Sequence, residues 1–261
     1  MTICTLASSS SGNATLVSYE RTHFLIDAGI SLKRIREGLN QLSLTPDDLT
    51  AVLVTHEHSD HVKGLEMLVK HHKTPIFSSR GAAHAISNHK PVVEPFISTL
   101  ETGVEVDMGN IAIESFATPH DASESIGFRL TAGNKTLAYA TDLGHVSMDV
   151  LEAMYGAFAV IIESNHDKQM LSTGPYPSYL KKRVSSPHGH LSNPDCGKFA
   201  VELVKSGTRI IQLAHLSREN NTPELARSTV GKSLEDKGIS LSADVSLEVA
   251  EPFTLSRVIK L

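Results

Sequence analysis

Four side chains able to bind a metal fall within six residues: His56, His58, Asp60 and His61, in the segment Thr55-His56-Glu57-His58-Ser59-Asp60-His61. Neutral imidazole nitrogens and a carboxylate are the donors that borderline divalent metals prefer. Among 261 residues with 14 histidines, three His and one Asp at this spacing arise by chance on the order of 0.002 times. A structural reading, with these residues around a helix start and Asp60 as its cap, would crowd polar donors together with nothing to bind. Each metal takes four or more donors, so others must come from elsewhere. The candidates are His120 (ATPHD), Asp142 (YATDLGH) and His215 (LAHLSREN), each just past an apolar run. Singly, they read as a turn His, a strand-ending Asp and a buried core His. Together with the anchoring segment they read as ligands.

The elements that must present these donors are legible as apolar periods. Residues 49–55 (LTAVLVT) are an apolar, β-branched run suited to a buried strand, and the His-rich segment follows directly, where a turn can splay side chains into a crevice. Upstream, residues 3–6, 14–18 and 23–26 read as strands around a Ser/Gly turn at 8–13, and Ser31 caps a helix with apolar positions Leu32, Ile35, Leu39 and Leu42. Downstream, a helix is expected over 64–73, a strand over 74–77, and hairpins over 104–116 and 126–140 that turn at Gly109-Asn110 and Gly133-Asn134. Helices over 148–154, 195–205 and 223–237 then alternate with strands over 159–163, 209–214 and 246–249. Strands followed by helices in both halves predict the α/β class, as a four-layer α/β/β/α sandwich. With no repeat, linker or low-complexity stretch, residues 1–261 are expected to form a single domain.

The composition, 40% hydrophobic and 20% charged, is that of an ordinary globular protein. No apolar run approaches the ~18 residues that span a bilayer, and the first residues carry no export signal. The expected location is therefore cytoplasmic, with no membrane association. Cys4 and Cys196 cannot build a disulfide framework and are expected to be buried. A net charge of -5 gives no global attraction to polyanions, so a nucleic-acid partner must be held by local patches. Nothing indicates an obligate protein partner.

Asp27 after a strand, THEHSDH, His120, Asp142 and His215, in that order, resemble the five ordered motifs of the metallo-β-lactamase superfamily, and the resemblance covers nearly the whole chain. It implies a metal-dependent hydrolase with a duplicated α/β/β/α fold and its site at one edge of the inner sheets. It further implies that His56, His58 and His120 bind one divalent ion and Asp60, His61 and His215 a second. Asp142 would bridge the two and Asp27 would support a ligand from behind, although Asp27 also reads as a cap of the helix after Ala28-Gly29. Two ions sharing Asp142 would bring a bridging water to a near-neutral pKa and polarise a phosphoryl or carbonyl oxygen. Zinc is the first expectation, and manganese or iron fit the same donors.

The segments Glu163-Ser164-Asn165-His166-Asp167 and Gly189-His190-Leu191-Ser192-Asn193 are similar to motifs of nuclease branches such as the tRNA 3′-processing endonucleases, in which a Gly-His-Ser histidine assists departure of the leaving oxygen. His190 matches that position. With the Ser-rich opening LASSSSGN, the chain resembles the YycJ-type nuclease subgroup, which is associated with exonuclease action on DNA; Ala7 stands where Gly is usual. The resemblance implies a phosphodiesterase, an exonuclease on DNA or RNA, with Asp60 and His190 as catalytic residues. Backbone N–H groups of the turn, with Ser10, Ser11, Asn13 and Ser192, are candidate substrate contacts, although Ser/Gly runs are also plain turns. Lys181-Lys182-Arg183 would track a phosphate backbone or form a solvated surface. His145 and His166 have no assigned role. One alternative is a small-molecule hydrolase for a cyclic phosphodiester, thioester, lactone or lactam, which predicts a small closed pocket. Another is a di-iron redox protein, which expects a carboxylate where His58 stands.

Overall fold

Near-continuous apolar runs, with side chains of both phases buried, are the signature of strands covered on two faces, and such runs organise this chain. The computed structural model describes residues 1–261. Its strands are β1 (Thr2–Ala7), β2 (Ala14–Tyr19), β3 (Thr22–Ile26), β4 (Ala51–Leu53), β5 (Ile76–Ser78), β6 (Ile97–Thr99), β7 (Glu105–Met108), β8 (Ile111–Ala117), β9 (Ile126–Ala132), β10 (Lys135–Ala140), β11 (Ala159–Glu163), β12 (Ile210–Ala214), β13 (Ser246–Val249) and β14 (Ile259–Lys260). They form two seven-stranded sheets, ordered β14-β1-β2-β3-β4-β5-β6 and β13-β12-β11-β10-β9-β8-β7. Each sheet begins with antiparallel neighbours and continues as parallel ones, from β3 to β6 in the first and from β10 to β13 in the second.

The two phases sort side chains into three cores. Phe24, Ile26, Leu53, Tyr139 and Ile161 meet between the sheets. Leu25 and Val52, of opposite phase, face the helices α1 (Leu32–Gln41), α3 (Leu65–His72) and α4 (Arg80–His89), which supply Ile35, Leu39, Leu68 and Ile86; a short α2 (Ser59–Val62) lies between α1 and α3 along the chain. Ala138, Val160 and Ile162 face α5 (Met148–Met154), α8 (Asn193–Lys205) and α9 (Pro223–Glu235). The layers are thus α/β/β/α. Between α5 and α8 the chain adds α6 (Lys168–Thr173) and α7 (Ser178–Val184). No helix is long and apolar enough to cross a membrane, and both cysteines are free and buried.

Most expected elements are present, and the departures have physical reasons. Helices α4, α6 and α7 were not expected from the pattern, because RGAAHAISNH and SYLKKRV offer too few apolar positions to show a period. Residues 49–55 give a ladder of only three residues, Ala51–Leu53, yet their hydrogen bonding continues past it: Val54 N donates to Phe77 O, and Thr55 O accepts from Ile126 N of the opposite sheet. Asp27 does not cap α1, whose cap is Ser31.

Candidate metal centre

The donors leave the C-terminal ends of strands in both sheets, in the second sheet those of alternate strands. β4 runs into the segment 55–61, β8 into His120, β10 into Asp142 and β12 into His215. Asp27, Asp142 and His215 take φ of 59°, 58° and 55°, the left-handed region that non-glycine residues rarely adopt. That backbone turns each chain sharply at the sheet edge. Close approach is secured by Gly29, where an added methyl would lie 1.6 Å from the Asp60 carbonyl oxygen.

Four histidines are anchored through one ring nitrogen, with the other turned to a common centre. His61 Nδ1 donates to Asp27 Oδ2 at 2.7 Å, His215 Nδ1 to Glu163 Oε1 at 2.7 Å, and His120 Nδ1 to Gly189 O at 3.1 Å. His56 Nδ1 meets Thr55 Oγ1 at 3.0 Å. These outer bonds fix each tautomer so that Nε2 presents a lone pair. His120 Nε2 then lies 3.3 Å from His58 Nδ1, while His56 Nε2 is buried with no partner. His215 Nε2 lies 3.3 Å from Asp60 Oδ2, and His61 Nε2 lies 3.4 Å from Asp60 Oδ2 and 3.2 Å from Asp142 Oδ2. That last approach lacks hydrogen-bond geometry, and Asp142 Oδ2 has no hydrogen-bond partner.

The donor atoms fall into four compact sets: His56, His58 and His120; Asp60, His61 and His215; His56, His61 and Asp142; and Asp142, Glu163, His190 and His215, the atoms of each within 4.8 Å of one another. Asp142 therefore stands between the first two. Facing lone pairs and orphaned buried atoms are costly unless a cation sits among them, so the residues present fit divalent metal ions. The electrostatics agree. Burial works against charge on His61, but Asp27, Asp60 and Asp142 outweigh it and raise its pKa well above the ordinary value. For His215 burial is likewise outweighed, by Asp142, Asp60 and Glu163, and its pKa rises to about 10. Burial opposes ionisation of Asp142, yet His215 and His61 hold its pKa well below the usual range. The same field that would put protons on these rings favours a dication in their place.

One residue of the centre heads a motif in the sequence but has no role assigned to it there. Glu163, fully buried at the end of β11, accepts His190 Nδ1 at 2.9 Å and His215 Nδ1 at 2.7 Å on Oε1. Its Oε2 accepts the Leu143 and Leu191 amides at 2.8 and 2.9 Å. One carboxylate thus holds two histidines and the loops that follow Asp142 and His190. The available signal was an acid closing the apolar strand AVIIE. His190 ends 3.6 Å from Asp142 Oδ1, its ring 5.1 Å from that of His120 and 5.4 Å from that of His215.

The expected substrate contacts divide. Ser10 and Ser11 are exposed at the tip of the turn. Asn13 is not a free donor, because it is buried and braces the turn: its Oδ1 accepts the Ser9 amide, and its Nδ2 lies 3.4 Å from Asp60 Oδ2 and 3.2 Å from His61 Nε2. Ser192 caps α8 and bonds Asp195 Oδ2 at 2.7 Å, so its hydroxyl is also engaged. His145 is exposed, with Nδ1 on Pro187 O at 2.9 Å, and joins none of the donor sets. Arg183, from the basic run, pairs with Asp121 beside His120 at 2.6 Å and locks α7 to that loop. Lys181 and Lys182 instead line a cavity beside His190.

Two stacked sheets of this topology, with His and Asp clusters at their shared edge, define a metal-binding protein of the metallo-β-lactamase fold, and the chain belongs to the β-lactamase superfamily, whose domain profile matches residues 22–215. Among full-length relatives, it is 36% identical over 250 residues to the exodeoxyribonuclease YycJ of Bacillus anthracis, covering 95% of this chain and 94% of the relative. It is 34% identical over 252 residues to the exodeoxyribonuclease WalJ of Streptococcus pneumoniae, with the same coverages. Similar solved structures include zinc-bound PqqB from Methylobacterium extorquens, with a TM-score of 0.73 at 17% identity over all of both chains. Human tRNase Z, short form, gives a TM-score of 0.68 at 16% identity, also over all of both chains. At these identities the structures speak for the fold.

Proposed function

We propose that the chain is a dinuclear metal-dependent exodeoxyribonuclease, with residues 1–261 acting as one catalytic domain in the cytoplasm. The observation that carries this reading is the union of two donor sets through Asp142, with His190 braced by Glu163 at their edge. Phosphodiester hydrolysis needs charge neutralised on the non-bridging oxygens and a proton for the departing one. The full-length similarity to two exodeoxyribonucleases supports DNA as the substrate.

In this reading His56, His58 and His120 hold one divalent ion and Asp60, His61 and His215 the other, with Asp142 between them; zinc suits the donor types, and manganese or iron are the alternatives. Bound there, the ions supply Lewis acidity and make water acidic enough to yield a nucleophile near neutral pH. The chain's own residues do the rest. Asp27, Glu163 and the Gly189 carbonyl fix the ring orientations. Asp60, whose side chain is 20% exposed against 3% for Asp142, is the centre's carboxylate open to solvent and orients the attacking water by accepting its hydrogen bond. Burial disfavours a charged His190, but Glu163 and Asp142 outweigh it and raise its pKa, so the ring keeps a proton at Nε2 for the leaving oxygen.

The test is to incubate the protein with end-labelled DNA and RNA, bis-p-nitrophenyl phosphate and a thioester, under zinc, manganese or iron, beside His58→Ala and His190→Ala. Stepwise release of nucleotides from DNA, lost in His58→Ala, is expected. Thioester turnover without phosphodiester cleavage would sink the proposal, and full-rate DNA cleavage by His190→Ala would remove that residue's role.

A further inference from the structure

We propose that the cavity beside His190 receives a terminal phosphate of the strand being degraded, an inference that rests on the nuclease reading above. The cavity has a volume of about 570 Å³ and shares His190 with the metal centre. His166, Leu171 and Ser192 form its floor and are 3%, 4% and 3% exposed. Its cationic wall is Lys168, at the start of α6, with Lys181 and Lys182 of α7. A strand entering past His190 therefore meets lysines at the sides and buried residues at the end.

The charge and the free donors point to a dianion. Three lysines face one lining carboxylate, Asp195, which leaves a formal excess of two positive charges. Asp195 is already engaged by Lys168 at 2.8 Å, by Lys198 at 2.8 Å and by the Ser192 hydroxyl at 2.7 Å. Lys181 gives one proton to Ser172 O at 2.7 Å and keeps two, while Lys182 makes no ion pair. His166 is buried with Nδ1 lacking any partner. The first amides of α8 offer nothing further, since Pro194 has none and those of Asp195 and Cys196 are bonded to Ser192. A backbone phosphodiester carries one negative charge, whereas a terminal phosphate carries nearly two at neutral pH. Ammonium and imidazole contacts to phosphate carry no sequence information, so the cavity distinguishes ends and ignores bases.

The test uses the intact protein loaded with metal and one single-stranded DNA sequence in four forms: with a 5′ phosphate, with a 3′ phosphate, with hydroxyls at both ends, and as a closed circle. The expected result is that one of the phosphate-ended strands is degraded about tenfold more efficiently, by kcat/KM, than the hydroxyl-ended strand, with the circle resistant. In the Lys168→Gln/Lys182→Gln chain, folded by circular dichroism, that ratio should fall toward one, while Lys182→Arg should retain it. The ratio is taken within each protein, so a change in overall rate does not enter it. Equal rates on phosphate and hydroxyl ends, a ratio that survives the double substitution, or rapid cleavage of the circle would each overturn the proposal. If bis-p-nitrophenyl phosphate is hydrolysed but none of the DNA forms is, the nuclease reading itself fails and the inference goes with it.

Discussion

The two halves of the molecule place an aspartate at the same point, just past the first parallel strand of each sheet, with nearly the same backbone: Asp27 at φ 59° and Asp142 at φ 58°. They use it differently. In the first half Asp27 is fully buried and turned onto His61 and Thr55, behind the donors. In the second half Asp142 faces the centre, and the bracing is left to Glu163, one strand further on. The first half offers a contiguous cluster supported by one carboxylate. The second offers residues scattered over five segments, two of them tied together by another. A duplicated frame thus supplies equivalent positions, and side-chain direction decides which becomes a donor and which a brace.

The largest test of this contrast compares the paired aspartates. Asp142→Ala should remove hydrolysis by well over the roughly 10- to 100-fold that a supporting residue costs and lower bound metal as measured by elemental analysis. Asp27→Ala should stay within that range. Equal losses would erase the distinction between donor and brace. Next come the braces themselves. Glu163→Gln, which disturbs two histidines and two loop amides, should cost about 100-fold in kcat on bis-p-nitrophenyl phosphate, against about 10-fold for Asp27→Asn. A KM effect alone in either would point to substrate binding rather than positioning.

Smaller effects should appear in stability. Gly29→Ala would force a methyl against the Asp60 carbonyl, and Gly144→Ala one to within 2.0 Å of Pro187 O. Each should lower unfolding free energy by about 1–3 kcal/mol, seen as a reduced denaturant midpoint. The smallest effect belongs to the second half alone. Burial, as the main cause, pulls the His166 pKa down to about 4. In the unfolded chain it takes up a proton near its ordinary value of ~6.5, so the unfolded state binds more protons between those values and acidification destabilises the fold. From pH 6.5 to 5.5 this amounts to about 1 kcal/mol, a loss that His166→Asn should lack when unfolding is followed at both pH values.

How legible each part was follows from locality. The segment His56 to His61 was readable because its donors share six residues and an apolar strand precedes them. His120, Asp142 and His215 were readable only through their order, since each alone is an ordinary turn or core residue. Glu163 heads a motif, but its bracing role was not legible because an acid after AVII carries no local mark of the two histidines it holds from 27 and 52 residues away. Asn13 and Ser192 were placed near the site, but their hydroxyl and amide groups are spent on the turn, on Asp60 and on the cap of α8, which only the folded geometry reveals. Helices α6 and α7 lack an apolar stripe, and so the cavity they wall was visible in sequence only as a basic run.

The left-handed turns at Asp27, Asp142 and His215 have a consequence for how this protein can change. Such a conformation costs a non-glycine residue on the order of 1 kcal/mol or more, and it sits here beside crowded carboxylates and imidazoles. Glycine at position 142 would relax the backbone but would also remove the carboxylate whose charge His61 and His215 favour. The metal-free Asp142→Gly chain is therefore expected to melt no higher than the native sequence, because the strain at this turn is held by the same charges on His61 and His215 that a cation would replace.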